Sequence, residues 1–278
     1  MPPAALIPYF QLPVWELGPI VLDPWALMVC TGFILGLEIA RARGIRLGLD
    51  VRDVVDGSVV TVAVGFFMGH VVHVAAYNPQ LLNERGWIEL LRVWGGFSST
   101  GGLIGALLGS LLFFKVIRKR PFLLHADAIM FGFPFAWIFG RTGCFLAHDH
   151  IGRKTDFFLA VNFPGGPRHD LGLDEALYSI LIAATFFVLR KRPFKPGFFV
   201  ATFVLMYAPA RFGFDFLRNT DLQNADVRWA GLTPAQWGMI VFFALGAGLM
   251  ARLSGGPETI TPDYGAGASG TEPPPGPA

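Results

Sequence analysis

Charged side chains are scarce in this sequence, at 15% of 278 residues, against about a quarter in an ordinary soluble domain. That shortage excludes a water-solvated globule as the whole of the chain. Cysteine is rarer still. The two present, Cys30 and Cys144, fall in separate apolar stretches, so no disulfide framework is expected. The opening residues MPPAALIPYFQLPVW carry four prolines and no basic residue, and do not read as a cleaved signal peptide. A long internal repeat is also missing, which speaks against the paired-repeat design of many transporters. The net charge of +2 says little by itself, and no nucleic-acid partner is expected.

Hydrophobic residues are abundant, at 53%. They recur in runs of about 20, the length that crosses a hydrocarbon core of roughly 30 Å. The expected fold class is an all-α polytopic membrane protein of about seven transmembrane helices with a polar extracytoplasmic cap. The spans are placed near 24–42, 55–77, 97–116, 125–147, 174–190, 197–217 and 235–251. Residues 1–253 read as one integral membrane domain, and the Gly/Pro-rich stretch 254–278 as a disordered cytoplasmic tail.

Basic residues cluster after span one (Arg41, Arg43, Arg46, Arg52), span three (Lys115, Arg118, Lys119, Arg120), span five (Arg190, Lys191, Arg192, Lys195) and span seven (Arg252). The opposite loops hold Arg85, Arg92, Arg153, Lys154, Arg168, Arg218 and Arg228. The richer side is expected to face the cytoplasm, with the N-terminus outside and the C-terminus inside. The loop 148–173, on the other side, is too long and polar for a tight turn.

Two arginines remain, Arg141 and Arg211, inside the apolar spans four and six. A guanidinium in hydrocarbon costs roughly 3 to 17 kcal/mol, so it rarely persists without a task. Each lies six residues before the end of its span, about 9 Å along a helix. Both spans run the same way, so the two cations are expected at one depth, holding one anion between them. Guanidinium binds phosphate bidentately and keeps its charge when buried.

Tyr207, Arg211, Asp215 and Arg218 share one helical face by spacing, a stripe expected to stay basic at its end. A structural ion-pair ladder is the blander reading of that stripe. Span three opens with GGFSSTGGLIGALLG, whose glycines suit helix packing. Its polar entry, with Thr100, Gly101 and Gly102, suits anion binding by amide groups. In GRTGCFLAHDHIG, His148 or His150 is a candidate proton acceptor and Asp149 a brace for an arginine. Three adjacent loop residues point alternately to opposite sides, so neither a metal nor a cofactor is expected. Arg168 and His169 stand just above the membrane.

Taken together these motifs resemble the prolipoprotein diacylglyceryl transferase family. The similarity covers roughly residues 20–253. It rests on W-G-G-x-S-x-x-G-G-L-I-G (94–105), G-R-x-G-x-F with a following carboxylate and Gly152, P-R-H with Glu175 downstream, and Tyr207 with R-F-x-x-D-F-x-R (211–218). The resemblance implies a bacterial inner-membrane enzyme. It would move a diacylglyceryl group from phosphatidylglycerol to the lipobox cysteine of a prolipoprotein signal peptide, with membrane lipids as its surroundings. Carried over, Arg141 and Arg211 bind or polarise the phosphate and Tyr207 orients it. Asp215 and Arg218 complete the network, while Asp149 and Gly152 shape the site. The chain departs from the family pattern at Thr100 (usually His), Cys144 (usually Asn), Asp149 and Asp215 (usually Glu), Trp25 (usually Tyr), and Gly172 and Asp174 (usually Gln and Tyr). A histidine of the cap, His148 or His150, is expected to replace the missing base. A divergent paralogue without this activity and a transporter for an anionic lipid or solute remain the alternatives.

Overall fold

The computed structural model describes residues 7–18, 20–93, 95–222, 226–253, 255 and 259–264. Among them, seven helices are long and apolar enough to cross a membrane: Pro24–Arg46, Val51–Tyr77, Ser99–Ile117, Phe122–Ala147, Leu171–Leu189, Phe198–Leu217 and Pro234–Leu253. They are numbered here as spans one to seven. The chain is a multi-pass membrane protein.

Local chemistry sets where the spans start. Span one begins at Pro24, behind Asp23, whose carboxylate accepts from the Trp25 amide at 2.7 Å. Asp50 does the same for Arg52 ahead of span two, and the Ser98 hydroxyl accepts from Gly101 ahead of span three. Side-chain caps of this type satisfy amides that have no partner within the helix. Span five begins at Leu171, three residues earlier than expected, because Asp170 accepts from the amides of Gly172 and Leu173. Glu175 therefore lies inside the helix rather than at its mouth.

Small residues bring the spans together in pairs. Span one crosses span four so closely that a Cβ at Gly132 would collide with the Gly36 carbonyl oxygen. Span two meets span three as tightly, a Cβ at Gly105 standing 2.5 Å from the Val64 carbonyl oxygen. Close backbone approach of this kind replaces the hydrophobic drive that is absent inside lipid. Gly132→Ala is expected to push the first pair apart and destabilise the fold by about 1–3 kcal/mol. A thermal melt in detergent, compared with a neutral surface variant, measures it.

The remaining spans pack on phenylalanine. Phe131, Phe186, Phe199 and Phe203 join Tyr207 and Met239 in one buried cluster across spans four to seven. Arg43 is buried beside it, its guanidinium 4.6 Å from the Phe131 ring centre.

Strands β4 (Ile151–Lys154), β5 (Val161–Phe163) and β6 (Gly166–Asp170) fill most of the loop between spans four and five. With β1 (Ile7–Pro8) they form a sheet of order β1-β5-β6-β4, parallel only at β1–β5. β2 (Trp15–Leu17) and β3 (Ile20–Leu22) pair antiparallel. Spans four and six both end at this sheet, hereafter the sheet end; the lysine- and arginine-rich loops lie at the opposite, basic end.

One expectation needs correcting. Within the stretch read as disordered from 254 onward, residues 259–264 lie against the basic end. Ile260 pairs with Phe194 through both backbone groups, and the Tyr264 hydroxyl accepts a hydrogen bond from Arg43 at 3.1 Å. A buried guanidinium needs acceptors, and Tyr264 supplies one. Residues 254, 256–258 and 265–278 lie outside the described residues.

Candidate functional site

The two membrane arginines do converge, but the anion between them belongs to the chain itself. Glu175, from the first turns of span five, reaches Arg141 Nε at 3.0 Å through Oε2 and Arg211 Nε at 3.3 Å through Oε1. Tyr207 donates its hydroxyl to the same carboxylate at 3.1 Å. Arg211 also donates to Asp215, whose other oxygen accepts from the Thr233 hydroxyl at the start of span seven. Arg141, Glu175, Tyr207, Arg211 and Asp215 are all buried. Two cations thus meet two carboxylates, and the cluster is balanced rather than basic. The physical reason is cost: two guanidiniums in a low-dielectric interior without internal anions would be far too expensive.

Sequence reasoning missed the centre of this arrangement. The expected span 174–190 puts Glu175 at its edge, and the family motif names it without a role. The available signal was a carboxylate within an apolar helix, with two membrane arginines unaccounted for.

The stripe along span six also ends sooner than its spacing suggests. After Phe214 the helix tightens into a 3₁₀ turn, Asp215–Leu217, and Arg218 is extended. Arg218 pairs with Asp226 and its backbone bridges Gly152, so it takes no part in the buried cluster.

Between the pair of spans one and four and the pair of spans two and three lies a cavity of about 690 Å³. Its walls run from Ala40 and Ser58 toward the basic end up to Trp25, Ser98 and His150 at the sheet end. Fifteen residues of span one separate Ala40 from Trp25, a length of about 22 Å. The lining is apolar along the spans, with Val29, Phe33, Val62, Phe66, Leu103 and Phe133. Polar groups collect at the sheet end, where Arg141, Cys144, Asp149 and His150 line the cavity together. Arg141 is held on one side by Glu175 and lies over the Trp137 ring, 4.6 Å from its centre. Arg211 and Tyr207 do not line the cavity; both bind Glu175, which in turn holds the cavity residue Arg141.

The turn after span four separates the two candidate histidines. His148 caps the helix in the left-handed conformation (φ 50°, ψ 38°), so the chain folds back over the last turn. The His148 ring points to Asp170 at 2.6 Å and packs among Tyr9, Phe10 and Phe163, away from the cavity. Burial raises the Asp170 carboxyl to about 6, although His148 and the two capped amides work against it. His150 points the other way, bonded to Asp149. Burial pushes the His150 imidazole down, but Asp149 and Cys144 outweigh burial and hold it at about 9. A ring that is protonated at neutral pH donates; it is a poor proton acceptor. Of the two histidines, then, His148 faces away from the cavity and His150 lines it.

The other expected substrate contacts scatter. Gly102 lines the cavity, but Gly101 is a packing residue: a Cβ there would meet the Met68 carbonyl oxygen at 2.6 Å. Thr100 is buried against Gly238 of span seven. Gly152 is wedged between His169 and Leu217. Arg168 makes a two-pronged contact with Asp221, at 3.0 and 2.5 Å, and holds that carboxyl below its usual range. His169 meets Asp174 at 3.2 Å. Since Thr100 faces span seven, Thr100→Ala should change turnover by less than about threefold, the range of uniform packing effects on a remote site. An initial-rate assay of whichever transfer the chain performs checks this.

A family model described as prolipoprotein diacylglyceryl transferase matches residues 13–252. The chain belongs to the prolipoprotein diacylglyceryl transferase family. It is 35% identical over 226 residues to the phosphatidylglycerol–prolipoprotein diacylglyceryl transferase of Pasteurella multocida, covering 78% of this chain and 82% of that protein. The transferase so named in Chromohalobacter salexigens is 33% identical, covering 79% and 84%. That of Nitratidesulfovibrio vulgaris is 31% identical, covering 87% and 94%. The seven spans are consistent with that membership. Cys144 and His150 stand together at the polar end of this chain's cavity.

Proposed function

We propose that this chain transfers a diacylglyceryl group from phosphatidylglycerol to the lipobox cysteine thiol of a prolipoprotein, forming a thioether. The observation that carries the reading is the cavity: an apolar slot about 22 Å long that ends on a buried arginine. Two acyl tails fit the apolar length, and the phosphate then meets Arg141. The carbon–oxygen bond to phosphate breaks as charge gathers on the departing oxygen, and a positioned guanidinium stabilises that charge. Glu175, Arg211, Tyr207 and Asp215 are positioning residues. They fix the Arg141 head group from behind and leave its other edge for the lipid.

The sheet end then lies at the outer face of a bacterial inner membrane, and the arginine-rich loops lie in the cytoplasm. The N-terminus is outside, the C-terminus inside, and the signal peptide of the acceptor approaches beside the sheet. The test uses purified protein, phosphatidylglycerol and a lipobox peptide, with mass spectrometry for a diacylglyceryl adduct on the cysteine. Absence of the adduct, with a family enzyme active in parallel, overturns the reading. The position of Thr100 against span seven favours a second reading, a member of the family that has changed its acceptor. In that case the peptide stays unmodified while the lipid is still consumed.

A further inference from the structure

We propose that Cys144, Asp149 and His150 form a binding site for one zinc-type divalent ion whose fourth position opens into the cavity. One donor atom from each residue lies within 4.8 Å of the other two. Donors on a tetrahedral zinc stand roughly 3.4 Å apart, given bonds of about 2.0–2.3 Å. Closing the difference takes a shift of about 1 Å, mostly in side chains of a loop. Spacing along the chain hides this set, because it offers His148, Asp149 and His150 as three neighbours. His148 indeed turns away. Its left-handed backbone folds the next two residues over the final helical turn, where Cys144 waits as the third donor.

The donor chemistry selects the metal. A thiolate with an imidazole and a carboxylate suits zinc and its neighbours, whereas magnesium and calcium prefer oxygen alone. Thiolate and carboxylate together offset the two charges of the ion, so the nearby Arg141 meets a neutral unit rather than a second cation. The ion would take the place of the Asp149–His150 hydrogen bond. Three protein ligands with one position open is the pattern of a working zinc rather than a structural one. All three residues line the cavity, as Arg141 does three residues before Cys144.

What the ion does there rests on the proposed transferase reading. The acceptor thiol takes the fourth position and gives its proton to water. The bound thiolate attacks the glyceryl carbon: a sulfur–carbon bond forms, the carbon–oxygen bond breaks, and glycerol phosphate leaves beside Arg141. A thiol bound to the ion loses its proton without a separate protein base.

The test is metal binding by the full chain in detergent, with any affinity tag removed. Zinc per chain is counted after dialysis. Cobalt loading is then followed through its thiolate charge-transfer absorption. One ion per chain is expected, with a thiolate band that disappears in Cys144→Ser. Affinity should fall roughly 10–100-fold or more in Asp149→Asn and His150→Ala, as for other disrupted metal sites, and stay unchanged in His148→Ala. Elution volume and melting of each variant confirm that it folds. Wild-type protein that binds no zinc, or binds it equally well in Cys144→Ser, overturns the site. The transfer assay fails or succeeds separately. An active chain without metal sinks this inference alone, and a metal-loaded chain without transfer sinks the transferase reading alone. If both hold, stripping the ion abolishes transfer and zinc restores it.

Discussion

Arg141→Ala should lower turnover by roughly 10²–10³-fold, the loss that follows removal of one donor to a developing oxyanion. Arg141 is the arginine that lines the cavity, and Glu175 engages only its Nε side. The effect should fall on kcat more than on KM, because the charge it meets is greatest when the bond to phosphate is breaking. Arg141→Lys keeps the charge but loses the planar fork and the stacking on Trp137, so it should recover only part of the rate. Arg211→Ala acts indirectly, by freeing Glu175, and should show a smaller loss together with a lower melting temperature. Steady-state kinetics over a range of phosphatidylglycerol fractions in mixed micelles separates the two. Equal losses in both variants, with melting unchanged, would mean that both guanidiniums touch the lipid.

Glu175→Gln is the change expected to harm the fold most, by about 3–5 kcal/mol, the usual cost of removing one partner from a buried ion pair. The carboxylate is the shared acceptor of Arg141, Arg211 and Tyr207, and glutamine leaves both cations facing a neutral amide. Thermal unfolding in detergent reads the loss. A second variant makes the result specific. Removing Arg211 as well, as Arg211→Gln, takes away one of the stranded charges, so the double variant should be more stable than the sum of the single losses predicts. Strict additivity would show that the residues do not act as one unit.

Much of the architecture was legible in the residues themselves. Runs of apolar length fixed the seven spans to within a few residues, and the errors fell at caps. Asp170 started span five early because its carboxylate bonds two amides, an effect that hydropathy does not register. Equal spacing from the span ends placed Arg141 and Arg211 at one level. Two features stayed hidden. The partner of a buried cation comes from another helix, so nothing beside Arg141 or Arg211 in sequence marked Glu175, and its one signal was a carboxylate inside an apolar run. The direction of His148 and His150 depends on a single left-handed residue, and alternation along an extended loop could not bring Cys144 into the same group. Tyr264 makes the same point at the basic end, where composition implied disorder but a buried Arg43 supplied a docking point.

The slot between the two glycine-zipped helix pairs has its charged groups at one extremity and only small or oily residues along its shaft. Under the proposed transfer reaction, head-group chemistry and tail accommodation are then judged by separate residues, many ångströms apart. A substitution deep in the shaft, near Ala40 or Ser58, can retune which chain lengths are welcome without disturbing a single ion. Membranes of different thickness and fatty-acid make-up can thus be served by one unchanged reaction centre.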